Sequence, residues 1–385
     1  MSLAARRTEP ISILQRERAL RPDFFLVIPY LALAAFGVLM VYSASAPGLQ
    51  ARGLDPTSVM RRHLVFAAVG VAVFIFTSMI DMRFVRSVTP AVYIGSLVTL
   101  LLVLTPIGTY ANGARRWVDF GFYAFQPSEF AKIAVILALA LLLSRGGDRL
   151  RWDYVGRALL IVALPALLIF VQPDLGTMLV FGFIALTMLF VAGTTWRQLA
   201  FLLIAGVVGA VGIFQAGALK EFQLRRLTAF LDPTEDLAAT ALYNQTQSEI
   251  AIGSGGFFGK GLFGGSQTNL NFVPEQSTDF IFTAIGEQLG FIGAVIVLSL
   301  FAMIIWRVLV AAGNGRDKYS QLVATGVAAL LAFHIFVNVA MTMTLMPVTG
   351  LPLPFLSAGG SAFIAMSLAL GLAHSVWMRR SPVPD

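Results

Sequence analysis

Long apolar runs alternate with short polar joints along almost the whole chain. The runs fall near residues 24–46, 64–80, 87–106, 128–144, 155–171, 175–193, 197–219, 280–311, 322–345 and 356–378. All but the longer 280–311 run are close to the ~20 apolar residues that carry a helix across a bilayer. Only Gln172-Pro173-Asp174 divides 155–171 from 175–193, which predicts ten spans rather than nine. The expected fold class is an all-α polytopic membrane protein of about ten transmembrane helices. One polar stretch breaks the pattern at 242–288, where glycines, amides and carboxylates gather. It ends with Asp279 and Glu287, at and just inside the start of the next apolar run. An ionisable group at a membrane entry is costly to bury and is by default a functional candidate.

Composition agrees with the pattern. Hydrophobic residues make up 57% of the 385 and charged residues 12%, where soluble domains carry about 25% charged. Mean hydropathy is +0.81. The absence of cysteine excludes disulfides, thiolate nucleophiles and cysteine metal sites. His63, His334 and His374 lack metal-ligand spacing, so no zinc site is expected, and no haem site. The net charge of +7 is distributed unevenly. If ten spans alternate, 17 of the 27 lysines and arginines fall on the side of the N-terminus. The positive-inside rule makes that side cytoplasmic. The basicity then faces anionic lipid and gives no reason to expect nucleic acid. The basic N-terminus is too long for a signal peptide n-region, and is expected to be retained. The expected organisation is a cytoplasmic segment 1–23, one membrane domain 24–378 with a large extracytoplasmic loop at 220–280, and a cytoplasmic tail 379–385.

On that topology every polar motif lies on the outer side, which describes one extracytoplasmic site. In "QPSEFAK", Pro127 suits a first helical turn and Glu129 its positive dipole end. Capping leaves Lys132 unexplained; it is either a buried partner of Glu129 or a cation aimed at an anionic substrate. Arg115, Arg116 and Trp117 read as an interfacial anchor or as a clamp on a phosphate-bearing headgroup. In "QPDLGT", Asp174 reads as a helix cap. "IGSGGFFGKGLFGG", with Gly255 and Gly256, lacks the order of a phosphate-binding loop because Gly261 follows Lys260, so no nucleotide site is expected. Its glycines allow close backbone packing against spans or a lipid-linked substrate. "PVTGLPLPF", with Pro347 and Pro352, cannot be continuous helix, and Ser357 follows it. Glu275, Gln276, Thr278 and Asp279 cluster at the mouth of the apolar bundle. Asp279 is either a helix cap before Phe280 or a partly desolvated base for a substrate hydroxyl. Glu287, about two turns deeper, reads as a brace.

These pieces resemble the SEDS (shape, elongation, division, sporulation) family of peptidoglycan polymerases. The matching segments are "VYSAS" at 41–45, "GARRW" at 113–117, "FQPSEFAK" at 125–132, "QPDLGT" at 172–177, "IAIGSGGFFGKGL" at 250–262, "VPEQSTDFIFTAIGE" at 273–287 and "MPVTGLPLPFLSAGGS" at 346–361. Their order and spacing match over nearly the whole chain. "GGSQTNLNFVPEQSTDF" resembles the elongation branch, RodA-like, more than the division branch, FtsW-like. Ala358, Ser277, Gln288 and Glu249 stand where the family often has other residues.

The resemblance implies an enzyme of the bacterial inner membrane that polymerises lipid II at the outer face. The GlcNAc 4-hydroxyl attacks the MurNAc anomeric carbon of another substrate, and undecaprenyl pyrophosphate leaves with inversion. Asp279 is the implied base. Arg115 or Arg116, Lys132 and a divalent cation, magnesium or manganese, are the implied stabilisers of the leaving group. Trp117, Glu129, Gln276, Thr278 and Ser357 are assigned to substrate binding. Asp174, Glu275, Glu287, Gly255, Gly256, Pro347 and Pro352 are assigned to support. Implied partners are a class B penicillin-binding protein and other elongation-machinery membrane proteins. The rival classes are a lipid II flippase, which needs a polar path across the membrane, and a scaffold that only activates the transpeptidase.

Overall fold

A computed structural model describes residues 21–380 except 112–113, 122, 218–222, 225, 227–229, 231–237 and 271. Most of the expected terminal segments 1–23 and 379–385, and part of the 220–280 loop, lie outside the described residues.

Ten helices take the ten apolar runs. They are α1 (Phe24–Ala51), α2 (Ser58–Met79), α3 (Met82–Leu104), α4 (Pro127–Leu143), α5 (Trp152–Val171), α6 (Leu175–Ala192) and α7 (Trp196–Gln215), then, after two further helices, α10 (Ile281–Gly313), α11 (Lys318–Thr342) and α12 (Gly360–Met378). Among the described residues nine helices are long and apolar enough to cross a membrane. The tenth, α4, has 17 residues, or about 26 Å against a hydrocarbon core of about 30 Å. It packs against α3, α5, α6 and α11, so its length has to match protein more than lipid. The chain is a multi-pass membrane protein. α4, α11 and α12 are its most enclosed spans. α7 buries only Gln198, Leu199 and Leu202 and otherwise faces outward.

Three features differ from the expected pattern. A small antiparallel sheet, β1 (Thr109–Ala111), β2 (Ala114–Asp119) and β3 (Ala124–Phe125), occupies the joint between α3 and α4. The strands are too short for period-two alternation to stand out. Part of the expected 220–280 loop is helical, in α8 (Ala238–Gly255) and α9 (Ser266–Asn269). The inward face of α8 is polar: Gln245 Nε2 donates to Met341 O (3.1 Å) and Met346 O (2.8 Å), and Ser248 Oγ donates to Thr342 O (2.7 Å). A helix held by amides and hydroxyls leaves no apolar periodicity to read.

The third feature is a break in α10 at Gly290, where φ is 64° and ψ is −161°. The glycine-rich segment crosses α10 there and supplies backbone partners. Phe291 N donates to Gly256 O (3.0 Å), Lys260 N to Glu287 O (3.0 Å) and Gly261 N to Gln288 O (3.0 Å). A Cβ at Gly290 would stand 2.3 Å from Gly259 N, and one at Gly255 2.1 Å from Gly286 O. The glycines therefore serve a backbone-to-backbone crossing.

Candidate active site

Asp279 stands one residue before the cap of α10. The cap is Phe280, and no side chain caps this helix. The Asp279 carboxylate accepts no hydrogen bond from the described residues; its backbone carbonyl accepts Asn338 Nδ2 at 2.8 Å. Asn338 also donates to Leu351 O (2.8 Å), which ties the 279 turn to the proline-rich loop. That loop brings Gly350, with φ at 75°, over the carboxylate: an added Cβ would lie 3.5 Å from Asp279 Oδ2. Asp279 is partly buried. Burial, then the neighbouring Glu275 charge, pushes its carboxyl from 3.8 up to about 6. Arg226 and Arg116 pull it down and Asp174 adds to the rise. Three carboxylates and two guanidiniums from four stretches of chain thus meet within electrostatic reach.

Residue alternation along β2 separates the two candidate arginines. Arg116 Nε donates to Gln172 O (3.1 Å), and its Nη2 donates to Pro173 O. Arg115 is exposed and reaches Thr105 O at 3.4 Å. Of the two, Arg116 is the one that acts on Asp279. Trp117 pairs with Thr109 across the sheet and is partly buried. Asp174 caps α6 by accepting Thr177 N (3.2 Å) and Thr177 Oγ1 (3.0 Å). Thr278 Oγ1 donates to Glu275 Oε2 at 2.9 Å. Gln276 is buried, donating to Thr268 Oγ1 at 2.9 Å, and its Oε1 has no partner. Ser357 Oγ accepts Leu353 N at 2.9 Å and closes the proline-rich loop on itself.

Lys132, Glu129 and Glu287 are held in buried ion-pair networks. Lys132 is fully buried in α4, with Nζ 2.7 Å from Glu129 Oε1 and 3.0 Å from His334 Nε2. His334 Nδ1 lies 3.3 Å from Pro352 O, so this trio links α4, α11 and the proline-rich loop. Glu287 is fully buried one layer below the glycine segment. It accepts Lys260 Nζ (2.9 Å), Gln267 N (2.8 Å), Thr268 N (2.9 Å) and Thr268 Oγ1 (2.7 Å).

A single chain that gathers these motifs around one carboxylate has clear relatives. The family model described as FTSW_RODA_SPOVE, cell cycle protein, matches residues 24–381. The chain belongs to this family. "Stage V sporulation protein E" of Bacillus subtilis is 38% identical over 359 residues, 92% of this chain and 96% of that protein. "Peptidoglycan glycosyltransferase MrdB" of Escherichia coli is 35% identical over 363 residues, 94% of each. A solved structure named "Structural coordination of polymerization and crosslinking by a peptidoglycan synthase complex" has a TM-score of 0.78 at 32% identity, covering 94% of this chain and 100% of that one.

Three residues of this family member complete the arrangement without having been assigned to the site from the sequence. Arg226 acts on Asp279 and donates to Val348 O at 3.3 Å. The adjacent arginines 225 and 226, in a chain that keeps charge out of its interior, were the available signal. Asn338 and His334 sit inside an apolar helix. A polar side chain there is costly without a partner, which was a signal that something faced them. Among the described residues no three His, Asp or Glu side chains group to hold a metal ion. The described residues thus form no cage for a resident divalent cation.

Proposed function

We propose that the chain polymerises lipid II into glycan strands at the outer face of a bacterial inner membrane. Its relatives are named peptidoglycan glycosyltransferases, and it is a glycosyltransferase. The observation that carries the mechanism is the Asp279 carboxylate: partly buried, without a hydrogen-bond donor among the described residues, raised to about 6, and flanked by Arg226 and Arg116. As general base it takes the proton of the GlcNAc 4-hydroxyl. That oxygen forms the bond to the MurNAc anomeric carbon while the bond to undecaprenyl pyrophosphate breaks, inverting α to β-1,4. The leaving group departs as an anion and needs cations more than an acid, unlike the paired carboxyl groups of inverting hydrolases. Arg116 and Arg226 supply that charge. Arg116 spends two of its five donors on the 172–173 turn and keeps others for a phosphate. A magnesium or manganese ion would supply further positive charge for the departing pyrophosphate. The outer-face placement rests on the 17 of 27 cations at the opposite side.

The elongation role rests on the "GGSQTNLNFVPEQSTDF" segment. A class B penicillin-binding protein is the proposed partner, with other elongation-machinery membrane proteins; the similarity to a member of a peptidoglycan synthase complex supports it. The test is polymerisation of purified lipid II by the purified chain, with and without that partner, read as product length on a gel. No polymer under either condition would refute the assignment.

A further inference from the structure

A cavity of about 370 Å³ opens at the end of the bundle far from Asp279. Its walls are the start of α3, the α10–α11 turn and the end of α12, and the whole of α10 separates it from the proposed active site. Arg83, Arg86, Arg316 and Arg379 line it, together with Asp81 and Asp317. The two carboxylates are already engaged. Asp81 caps α3 by accepting Arg83 N at 2.7 Å, and Asp317 caps α11 and pairs with Arg86 at 3.6 Å. Arg379 is likewise held, by Ser78 O (3.1 Å) and Ser375 Oγ (2.8 Å). The guanidiniums of Arg83 and Arg316 make no hydrogen bond or ion pair among the described residues.

General basicity at one membrane face explains cationic residues near helix ends. It does not explain four guanidiniums from three separate segments converging on one concavity, two of them fixed by the protein and two left open. Guanidiniums in that arrangement match phosphate oxygens. Basic pockets between transmembrane helices at the cytoplasmic side take anionic headgroups. The volume suits a headgroup, and the cavity lies where the spans end.

We propose that this cavity is a binding site for the phosphate headgroup of an anionic phospholipid, held by Arg83 and Arg316 over the fixed guanidiniums of Arg86 and Arg379. On the orientation proposed above, the lipid belongs to the cytoplasmic leaflet; the site itself does not depend on that orientation. The headgroup would clamp the α2–α3 joint, the α10–α11 turn and the end of α12 together.

The test titrates the purified full chain in detergent with diphosphatidylglycerol, counting bound lipid by native mass spectrometry and following the melting temperature. Phosphatidylethanolamine and inorganic phosphate are the comparison arms. Diphosphatidylglycerol is expected to bind and raise the melting temperature, with phosphatidylethanolamine and phosphate ineffective at matched phosphorus. Arg83→Gln with Arg316→Gln removes two cations worth about fivefold each, so lipid affinity should fall about 25-fold. Both side chains are exposed and without a partner among the described residues, so the variant should melt like the parent without lipid. Arg145→Gln with Arg149→Gln, at the same end but outside the cavity, should leave lipid binding unchanged. Equal loss in the two double variants would reduce the effect to general basicity and overturn the site. Equal binding of phosphatidylethanolamine, or an equal shift with phosphate alone, would overturn the lipid assignment on the parent protein itself.

Discussion

Asp279→Asn separates a base from a structural residue by moving activity and stability in opposite directions. A general base works ionised. With its carboxyl at about 6, Asp279 is about 91% ionised at pH 7 and about 9% at pH 5, so polymerisation should fall about tenfold between them. The sign for stability follows from the same shift. The folded protein holds this carboxyl above its value of 3.8 in the open chain, so ionisation is disfavoured by folding. That difference costs ~3 kcal/mol above about pH 6, and the cost fades as pH falls towards 4. Asparagine carries no such cost. Asp279→Asn should therefore melt higher than the parent at pH 7.5, converge with it near pH 4, and polymerise lipid II roughly 10² to 10⁴ times more slowly. Product length at matched protein level and melting temperature in detergent are the two readouts. Near-normal polymer would show that the carboxylate is not the base, and a melting temperature unmoved at pH 7.5 would show that folding does not disfavour its ionisation.

Arg116→Ala should lower polymerisation by on the order of 10² to 10³ with lipid II still bound, as expected for a lost charge stabiliser; an unchanged rate would assign Arg116 to holding the 172–173 turn alone. Lys132→Met leaves the Glu129 carboxylate buried without its cation, at a cost of ~3–5 kcal/mol, and adding Glu129→Gln should recover much of the melting temperature; failure to recover would mean that Lys132 matters beyond that pair. Gly290→Ala forces a Cβ against Gly259 N and a strained φ, so folded yield should drop sharply, and normal yield would show the crossing to be loose. Cysteines replacing Phe120 and Asp148, which are exposed at opposite ends, should label with an impermeant thiol reagent from opposite sides of the membrane; labelling of both from outside would break the proposed topology.

The ten apolar helices, nine of them long enough to cross a membrane, were legible because lipid imposes a long, simple apolar signal, and the divider Gln172-Pro173-Asp174 proved to be the turn before the helix that Asp174 caps. Signals of other kinds were not. α8 is held by Gln245 and Ser248 instead of an apolar face, so it read as loop. The break at Gly290 sits within an unbroken apolar run, and only a positive φ and the backbone of residues 256–261 define it. The site showed the same division. Asp279 and Glu275 were visible as carboxylates at a membrane entry, whereas Arg226 lay in a long loop whose charges say little about topology. Lys132 and Glu129 were correctly spaced to meet, but spacing along one helix cannot show that His334 from α11 closes the pair off from solvent.

The treatment of buried carboxylates is the strongest structural argument for chemistry at Asp279. Among the described residues, Asp23, Glu129, Asp174 and Glu287 are buried. Asp23 accepts Phe25 N and Arg307 Nε; Glu129 accepts Lys132 Nζ; Asp174 accepts Thr177; Glu287 accepts Lys260, Gln267 and Thr268. Each of these is neutralised or capped, as burying a charge demands. Asp279 accepts none, although Asn338 and the 346–353 loop sit against it with polar groups to offer. Asn338 gives its amide to two backbone carbonyls instead. Electrostatic help comes from Arg226 and Arg116, which act on Asp279 without a hydrogen bond to it. A base needs its lone pairs free and its proton affinity raised; a structural carboxylate needs the reverse. The fold pairs or caps at least one oxygen of every deeply buried carboxylate described and leaves this one open, at the mouth of the bundle, with two cations beside the place where an anion would leave.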